Sequence, residues 1–203
     1  MADASVKTMI RIRKRRIGVT QPRPFRLFLL SIVSIFFSLI CCSLFAQVPA
    51  GLDVNTSKKA GPDSECAIAK NPADSSQLFA VCNTTIPGLF ATRSDDGGKT
   101  WSYPDSTDKT IADGDKGQGA PACCDPTVAW DSFGNLYVGY LDNYWANFIV
   151  LLSTDAGMSF KTLHTFAGSA DQPTIVAEDT PAAGAPVAVW VVWNLAGTMH
   201  ASG

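Results

Sequence analysis

The chain has 203 residues, with 16 Lys or Arg against 18 Asp or Glu, but the charges are unevenly distributed. Residues 47–203 contain eight Lys or Arg and seventeen Asp or Glu, a formal charge of −9. Because such a chain repels phosphate backbones, nucleic acid is excluded as an expected partner.

The amino terminus has the composition of an export signal. Residues 1–26 are basic, and residues 27–46 form an apolar run of twenty residues without a charge. This predicts a helical segment, either a cleaved signal peptide (residues 1–46) or an uncleaved membrane anchor through residues 27–46. We therefore expect a protein that is secreted, periplasmic or on the cell surface.

After a linker (residues 47–63), one pattern of apolar strand, polar turn and alternating strand occurs three times, in residues 65–83, 124–142 and 171–194. In the second copy four strands are expected, near residues 127–130, 136–141, 148–153 and 159–163. Repeats of this length with four short strands predict an all-β fold, a β-propeller of four-stranded antiparallel blades. Blade 1 is placed at about 64–103, blade 2 at about 123–165 and a truncated blade 3 at about 170–203, so about two and a half blades of a longer protein are expected.

An eight-residue motif recurs in the first two copies, as SDDGGKTW (box 1, residues 94–101) and STDAGMSF (box 2, residues 153–160). Short polar side chains in such a hairpin bond turn amides, glycine takes the left-handed conformation, and the aromatic ring returns to the sheet. We interpret both boxes as structural turn staples. Their residues are Ser94, Asp96, Gly98 and Trp101, and Ser153, Asp155, Gly157 and Phe160.

These boxes, with the stretches IAKNPADSSQLFAVCN and DPTVAWDSFGNLYVGYL before them, resemble the Asp-box, or bacterial neuraminidase (BNR) repeat, of sialidase-superfamily propellers. The resemblance covers about residues 64–203 and implies a glycan-directed, glycoside hydrolase-like protein. Sialidases of this superfamily use an arginine triad, with the first arginine in an Arg-Ile-Pro motif. That motif is missing here and Arg93, read as a solvated strand-end charge, is the only arginine after Arg26, so the chain is not expected to hydrolyse sialosides.

Acidic residues begin the inner strands of the three copies. The matching positions are Glu65, Asp125 and Gln172, with Asp171 beside the last. Since inner strands line the channel of a propeller, Glu65, Asp125 and Asp171 are candidates for a ligand-binding ring at the channel mouth, and paired carboxylates suit glycoside hydrolysis. The alternative is that they cap strand ends.

Residues 104–122 are expected to form a solvated acidic loop between the first two blades. Asp113, Asp115 and the carbonyl group of Gly117 are spaced partly like a calcium loop, but its terminal bidentate glutamate is missing. Calcium is the only cofactor that the sequence suggests, and no other metal site is expected. Nearby, Tyr140, Tyr144 and Trp145 are candidates for stacking on a sugar, whereas Trp190 and Trp193 are read as core.

Four cysteines follow the apolar run. Cys66 and Cys82 flank the NPADSS turn and are predicted to form a disulfide across a hairpin. The adjacent Cys123 and Cys124 are not expected to bond to each other, because that geometry is strained. For the whole chain two functions stay open: a glycoside hydrolase-like propeller whose catalytic residues lie in blades not included in this chain, and a non-catalytic module that binds a glycan or an envelope protein.

Overall fold

The structure, a computed structural model, describes residues 53–85, 87–104, 109–178 and 188–203. Contacts divide the chain into Met1–Asp53 and Val54–Gly203, and only the second unit is described beyond a single residue. The predicted signal or anchor helix lies outside the described residues. Within them, no helix is long and apolar enough to cross a membrane.

The described part consists of antiparallel sheets, which confirms the prediction of an all-β fold built from four-stranded units. Sheet 1 has the order β1-β2-β3-β4, sheet 2 the order β5-β6-β7-β8, and sheet 3 the order β11-β10-β9. Such consecutive meanders are the arrangement of part of a propeller. The strands are β1 (Ser64–Lys70), β2 (Leu78–Asn83), β3 (Leu89–Ser94), β4 (Thr110–Ile111), β5 (Ala122–Trp130), β6 (Leu136–Asp142), β7 (Asn147–Ser153), β8 (Lys161–Ala167), β9 (Ala170–Ala177), β10 (Val189–Leu195) and β11 (Thr198–Ser202).

The central sheet is buried on both faces. Along β6, Leu136, Val138 and Tyr140 belong to the core shared with sheet 1. The intervening Tyr137 and Leu141 belong to the core shared with sheet 3. Because side chains alternate across a strand, one short apolar strand supplies both interfaces, and this is why every residue of β6 is buried.

Two strand positions differ from the expectation. The fourth strand of sheet 2 is Lys161–Ala167, rather than residues 159–163, because the Asp155 carboxylate binds the backbone amide of Ser159 and holds it in the turn. Sheet 1 takes its fourth strand, β4, from the segment expected to be a solvated loop. Thr110 and Ile111 are buried there, since they pair with β3.

The segment before β1 packs over sheet 1. The Tyr103 hydroxyl donates to the carbonyl oxygen of Thr56 at 2.9 Å, and Lys109 Nζ donates to that of Ser57 at 3.0 Å. The Lys59 ammonium lies 5.7 Å from the centroid of the Phe90 ring. These contacts fix residues that the sequence suggested were only a linker.

Candidate functional site

The inner strands β1, β5 and β9 are neighbours, and each one is irregular close to its beginning. The pairing register shifts between Ser64 and Ala67 in β1 and between Cys124 and Thr127 in β5, and sheet 3 is irregular at the corresponding place. At each irregularity one polar residue has a left-handed backbone: Glu65 (φ 48°), Asp125 (φ 54°) and Gln172 (φ 46°). We call these three the bulge residues.

The bulge residues link one sheet to the next. Glu65 Oε2 accepts a hydrogen bond from the backbone amide of Asp125 at 3.4 Å and another from Asn83 Nδ2. Asp125 Oδ2 accepts from the amide of Gln172 at 3.1 Å. Each carboxylate therefore binds the bulge of the following inner strand, and a non-glycine residue is held in a conformation that it adopts only when its surroundings impose it.

Three carboxyl groups meet at this end of the inner strands. Burial, opposed by the Gln172 amide, and the neighbouring carboxyl groups of Glu65 and Asp171 raise the pKa of Asp125 above its usual value. Glu65 and Asp171 are exposed. We call Glu65, Asp125 and Asp171 the acidic entrance: the Asp125 amide binds the carboxylate of Glu65, and the carboxylate of Asp125 binds the amide of Gln172, which follows Asp171.

This raised pKa predicts how stability depends on pH. Folded Asp125 keeps its proton to a higher pH than the unfolded chain, which releases it near 3.8, so the folded state binds more protons in that interval. The contribution of Asp125 to the free energy of unfolding should therefore fall as pH rises from about 4 through the raised pKa. We expect Asp125→Asn to remove this fall in urea unfolding measured over a pH series.

Asp96 of box 1 provides a control, because its contribution to stability changes with pH in the opposite direction. The Thr100 hydroxyl and amide, with further donors in the turn, lower the pKa of Asp96 to about 2. Asp96 therefore contributes stability above pH 4 that is lost as pH falls towards 2, and Asp96→Asn should remove that acid sensitivity instead. If the free energy of unfolding depended on pH in the same way in Asp125→Asn and Asp96→Asn, both assigned pKa shifts would be contradicted.

A disulfide joins Cys123 and Cys124, next to the acidic entrance. The expectation that they do not pair with each other was wrong. In a regular strand neighbouring side chains point to opposite faces, but the register of β5 shifts here, so that alternation is broken. Cys66 and Cys82 are joined as well, across β1 and β2.

The calcium candidates and Arg93 make hydrogen bonds within the fold. Asp113 accepts from the amide of Asp115 at 3.1 Å, and the carbonyl oxygen of Gly117 accepts from Thr162 Oγ1 at 3.1 Å. Among the described residues no group of three or more His, Cys, Asp or Glu side chains is placed to hold a metal ion. Arg93 is not solvated: its guanidinium donates to Asp95 Oδ2 at 2.6 Å, and its side chain is 14% exposed.

The aromatic candidates separate into two groups. Tyr140 is buried and its hydroxyl donates to the carbonyl oxygen of Gln118 at 2.7 Å, so it belongs to the core rather than to a sugar site. Trp190, expected in the core, is 52% exposed, whereas Trp193 is buried. Tyr144 and Trp145 are both exposed.

The two boxes have the same hydrogen bonds. Ser94 Oγ accepts from the amide of Gly98 at 2.9 Å and donates to Asp96 Oδ1 at 2.8 Å. Ser153 Oγ accepts from the amide of Gly157 at 2.9 Å and donates to Asp155 Oδ1 at 2.7 Å. The Ser, Asp and Thr or Ser side chains that recur in the motif are thus bonded to one another inside each turn.

No protein-family model matches the chain, and no curated protein gives a significant match. Solved structures do align with it. An α-L-arabinofuranosidase from Fusarium graminearum, a mutant with an iminosugar inhibitor, gives a TM-score of 0.42 at 12% identity over 64% of this chain and 40% of its own. The glycoside hydrolase family 93 α-L-arabinofuranosidase of Fusarium graminearum with arabinobiose gives 0.45 at 11% over 70% and 44%.

A Hadza microbial sialidase aligns with a TM-score of 0.30 at 15% identity, over 70% of this chain and 43% of its own. The chain thus spans less than half the length of each of these structures. Likeness at this level says nothing about substrate or catalysis, which have to be argued from the residues themselves.

Proposed function

We propose that the chain is part of an exported, sialidase-like Asp-box propeller that acts on a glycan at the acidic entrance. The carrying observation is the convergence of Glu65, Asp125 and Asp171, with a raised pKa for Asp125. Neighbouring carboxyl groups, one of which has a raised pKa, are the combination used in glycoside hydrolysis, where one acid protonates the leaving group.

The charge of the entrance selects the substrate class. Three acidic groups repel an anionic sugar, and Arg93, which a carboxylate clamp would need, is engaged by Asp95 beside box 1. Carboxylates accept hydrogen bonds from hydroxyl groups. The proposed substrate is therefore a neutral glycan rather than a sialoside.

The test is an array of neutral and sialylated oligosaccharides probed with the full chain, followed by chromatography of the bound sugars for released products. We expect binding to neutral glycans and slow release of product. Asp125→Asn should reduce product release by on the order of 100-fold, since general acid catalysis contributes at least that much. Asp115→Asn, an exposed acid outside the entrance, is the matched control.

A second function is favoured by one observation: each entrance carboxylate that accepts an amide from the next inner strand already has a structural task. In that case the propeller is a non-catalytic module that binds a glycan or an envelope protein. Binding without product release would support it, and failure to bind any glycan on the array would refute both glycan-directed versions.

A further inference from the structure

The hairpin between β6 and β7 carries two exposed aromatic residues, Tyr144 and Trp145, which are 75% and 64% exposed. Large aromatic rings usually stabilise a protein because folding buries their apolar surface, and an exposed ring does not add to stability in this way. Two consecutive exposed rings on a turn therefore call for a reason other than packing.

Tryptophan is also an unusual residue at position 145 because of the backbone conformation there. Trp145 has a φ of 57°, in the left-handed region that a bulky side chain resists. The equivalent hairpin of sheet 3 places Ala196 and Gly197 in this region, and the hairpin of sheet 1 places Gly88 there. Among the described residues of these three hairpins, Trp145 is the one large aromatic residue with such a backbone.

A buried carboxylate holds this turn in place. Asp142, 1% exposed, accepts at Oδ1 from the amide of Ala146 at 2.8 Å and at Oδ2 from Asn147 Nδ2 at 2.6 Å. Its carbonyl oxygen accepts from the amide of Trp145 at 3.0 Å. The aromatic pair is thus presented on a fixed backbone, which is the preorganisation that binding sites require.

The hairpin lies at the same end of sheet 2 as the acidic entrance. The amide of Asn143 donates to the carbonyl oxygen of Pro121 at 2.8 Å, and Asp142 pairs with Ala122. Asp125 lies on β5, which pairs directly with β6, so the hairpin and the acidic entrance are adjacent at this end of the sheet. The rings on the β6–β7 hairpin and the carboxyl group on β5 belong to different strands, which lie about 5 Å apart, and this arrangement suits two neighbouring units of one sugar chain.

We propose that Tyr144 and Trp145 form a second sugar subsite, so that the ligand of the acidic entrance is an oligosaccharide of at least two neutral units. The rings cover the apolar face of one sugar, while the carboxylates bind hydroxyl groups of its neighbour. This inference rests on the proposed function, because it needs a glycan at the entrance.

The test compares Trp145→Gly with the wild-type full chain on an array of neutral pentose and hexose mono-, di- and tetrasaccharides. Glycine accepts the left-handed backbone, so the melting temperature should stay the same or rise. Loss of about 60 Å² of buried ring contact should weaken di- and tetrasaccharide binding about tenfold, with monosaccharide binding unchanged. Phe133→Ala is the matched control, a 70% exposed aromatic in the β5–β6 turn at the other end of the sheet.

Unchanged oligosaccharide binding in Trp145→Gly, or an equal loss for mono- and oligosaccharides, overturns the second subsite and leaves the entrance intact. A wild-type chain that binds no glycan at all overturns the proposed function and this inference together. Should Trp145→Gly lower the melting temperature, Tyr144→Ala carries the test, with the same selective loss expected.

Discussion

Replacing Gly157 with alanine is expected to lower the free energy of unfolding by about 3 kcal/mol. Gly157 has a φ of 83°, and a Cβ added there would lie 2.6 Å from Phe79 Cδ2 and 3.1 Å from Leu136 Cδ2. The left-handed backbone and the clash each contribute part of this loss. Phe79 is fully buried between sheets 1 and 2, so its ring has little room to move away.

Gly97→Ala separates the two contributions. Gly97 also has a positive φ, 74°, but no atom lies within 4 Å of its added Cβ. It should therefore lose only about 1 kcal/mol, the cost of the backbone conformation alone. Urea unfolding followed by circular dichroism measures both variants, and equal losses would show that box 2 does not pack on sheet 1 as described.

Replacing Asp131 with alanine is expected to cost about 3 kcal/mol, because it leaves several hydrogen-bond donors without their acceptor. Asp131 is 1% exposed and closes the β5–β6 turn. Its carboxylate accepts from the amides of Phe133 and Asn135, both at 2.9 Å, and from the Tyr137 hydroxyl, also at 2.9 Å. Burial and the bond to Asp131 raise the pKa of Tyr137 to about 12, so this phenol remains a donor.

The neighbouring Ser132 supplies the control. Its hydroxyl is buried and has no hydrogen-bond partner among the described residues. Ser132→Ala removes no hydrogen bond and should therefore not lower the free energy of unfolding. If the two alanine variants unfolded at the same urea concentration, the Asp131 network would not hold the turn.

The boxes were predictable from sequence because their function is local. Ser153, Asp155 and Gly157 satisfy one another within five residues, so the same spacing recurs wherever the turn recurs. The carboxylates of Asp131 and Asp142 also hold turns by hydrogen bonds, yet their partners differ in type and spacing. No repeated pattern marks them in the sequence as buried turn residues.

The sequence predicted which polar residues begin the inner strands but not their backbone conformation. Aligning the three copies placed Glu65, Asp125 and Gln172 at one position, and the structure gives all three a left-handed backbone. The strongest sequence signals for that conformation are glycine and asparagine, and of these three residues only Asp125 is of a type that tolerates it. The pairing of Cys123 with Cys124 was missed because a bond between adjacent cysteines was expected to be strained, and nothing in the sequence indicated that the register of β5 shifts there.

Strand β4 shows a different limit. It contains only Thr110 and Ile111, within an acidic, glycine-rich stretch whose composition is typical of a loop. What places it in the sheet is the free edge of β3, with which both residues pair. A strand this short is determined by its partner rather than by its own sequence.

The contacts between the bulge residues run in one direction along the chain, from the side chain of one unit to the backbone amide of the next. Asp125 carries both halves of the joint: its carboxylate binds the next unit, and its amide binds the carboxylate of the preceding one. A gene segment copied in tandem would bring a working joint with it and would need no compensating substitution in its neighbour. Such a joint makes this architecture easy to lengthen by duplication, and it leaves the side chain free to diverge, as from Glu65 to Asp125, provided that it still accepts a hydrogen bond.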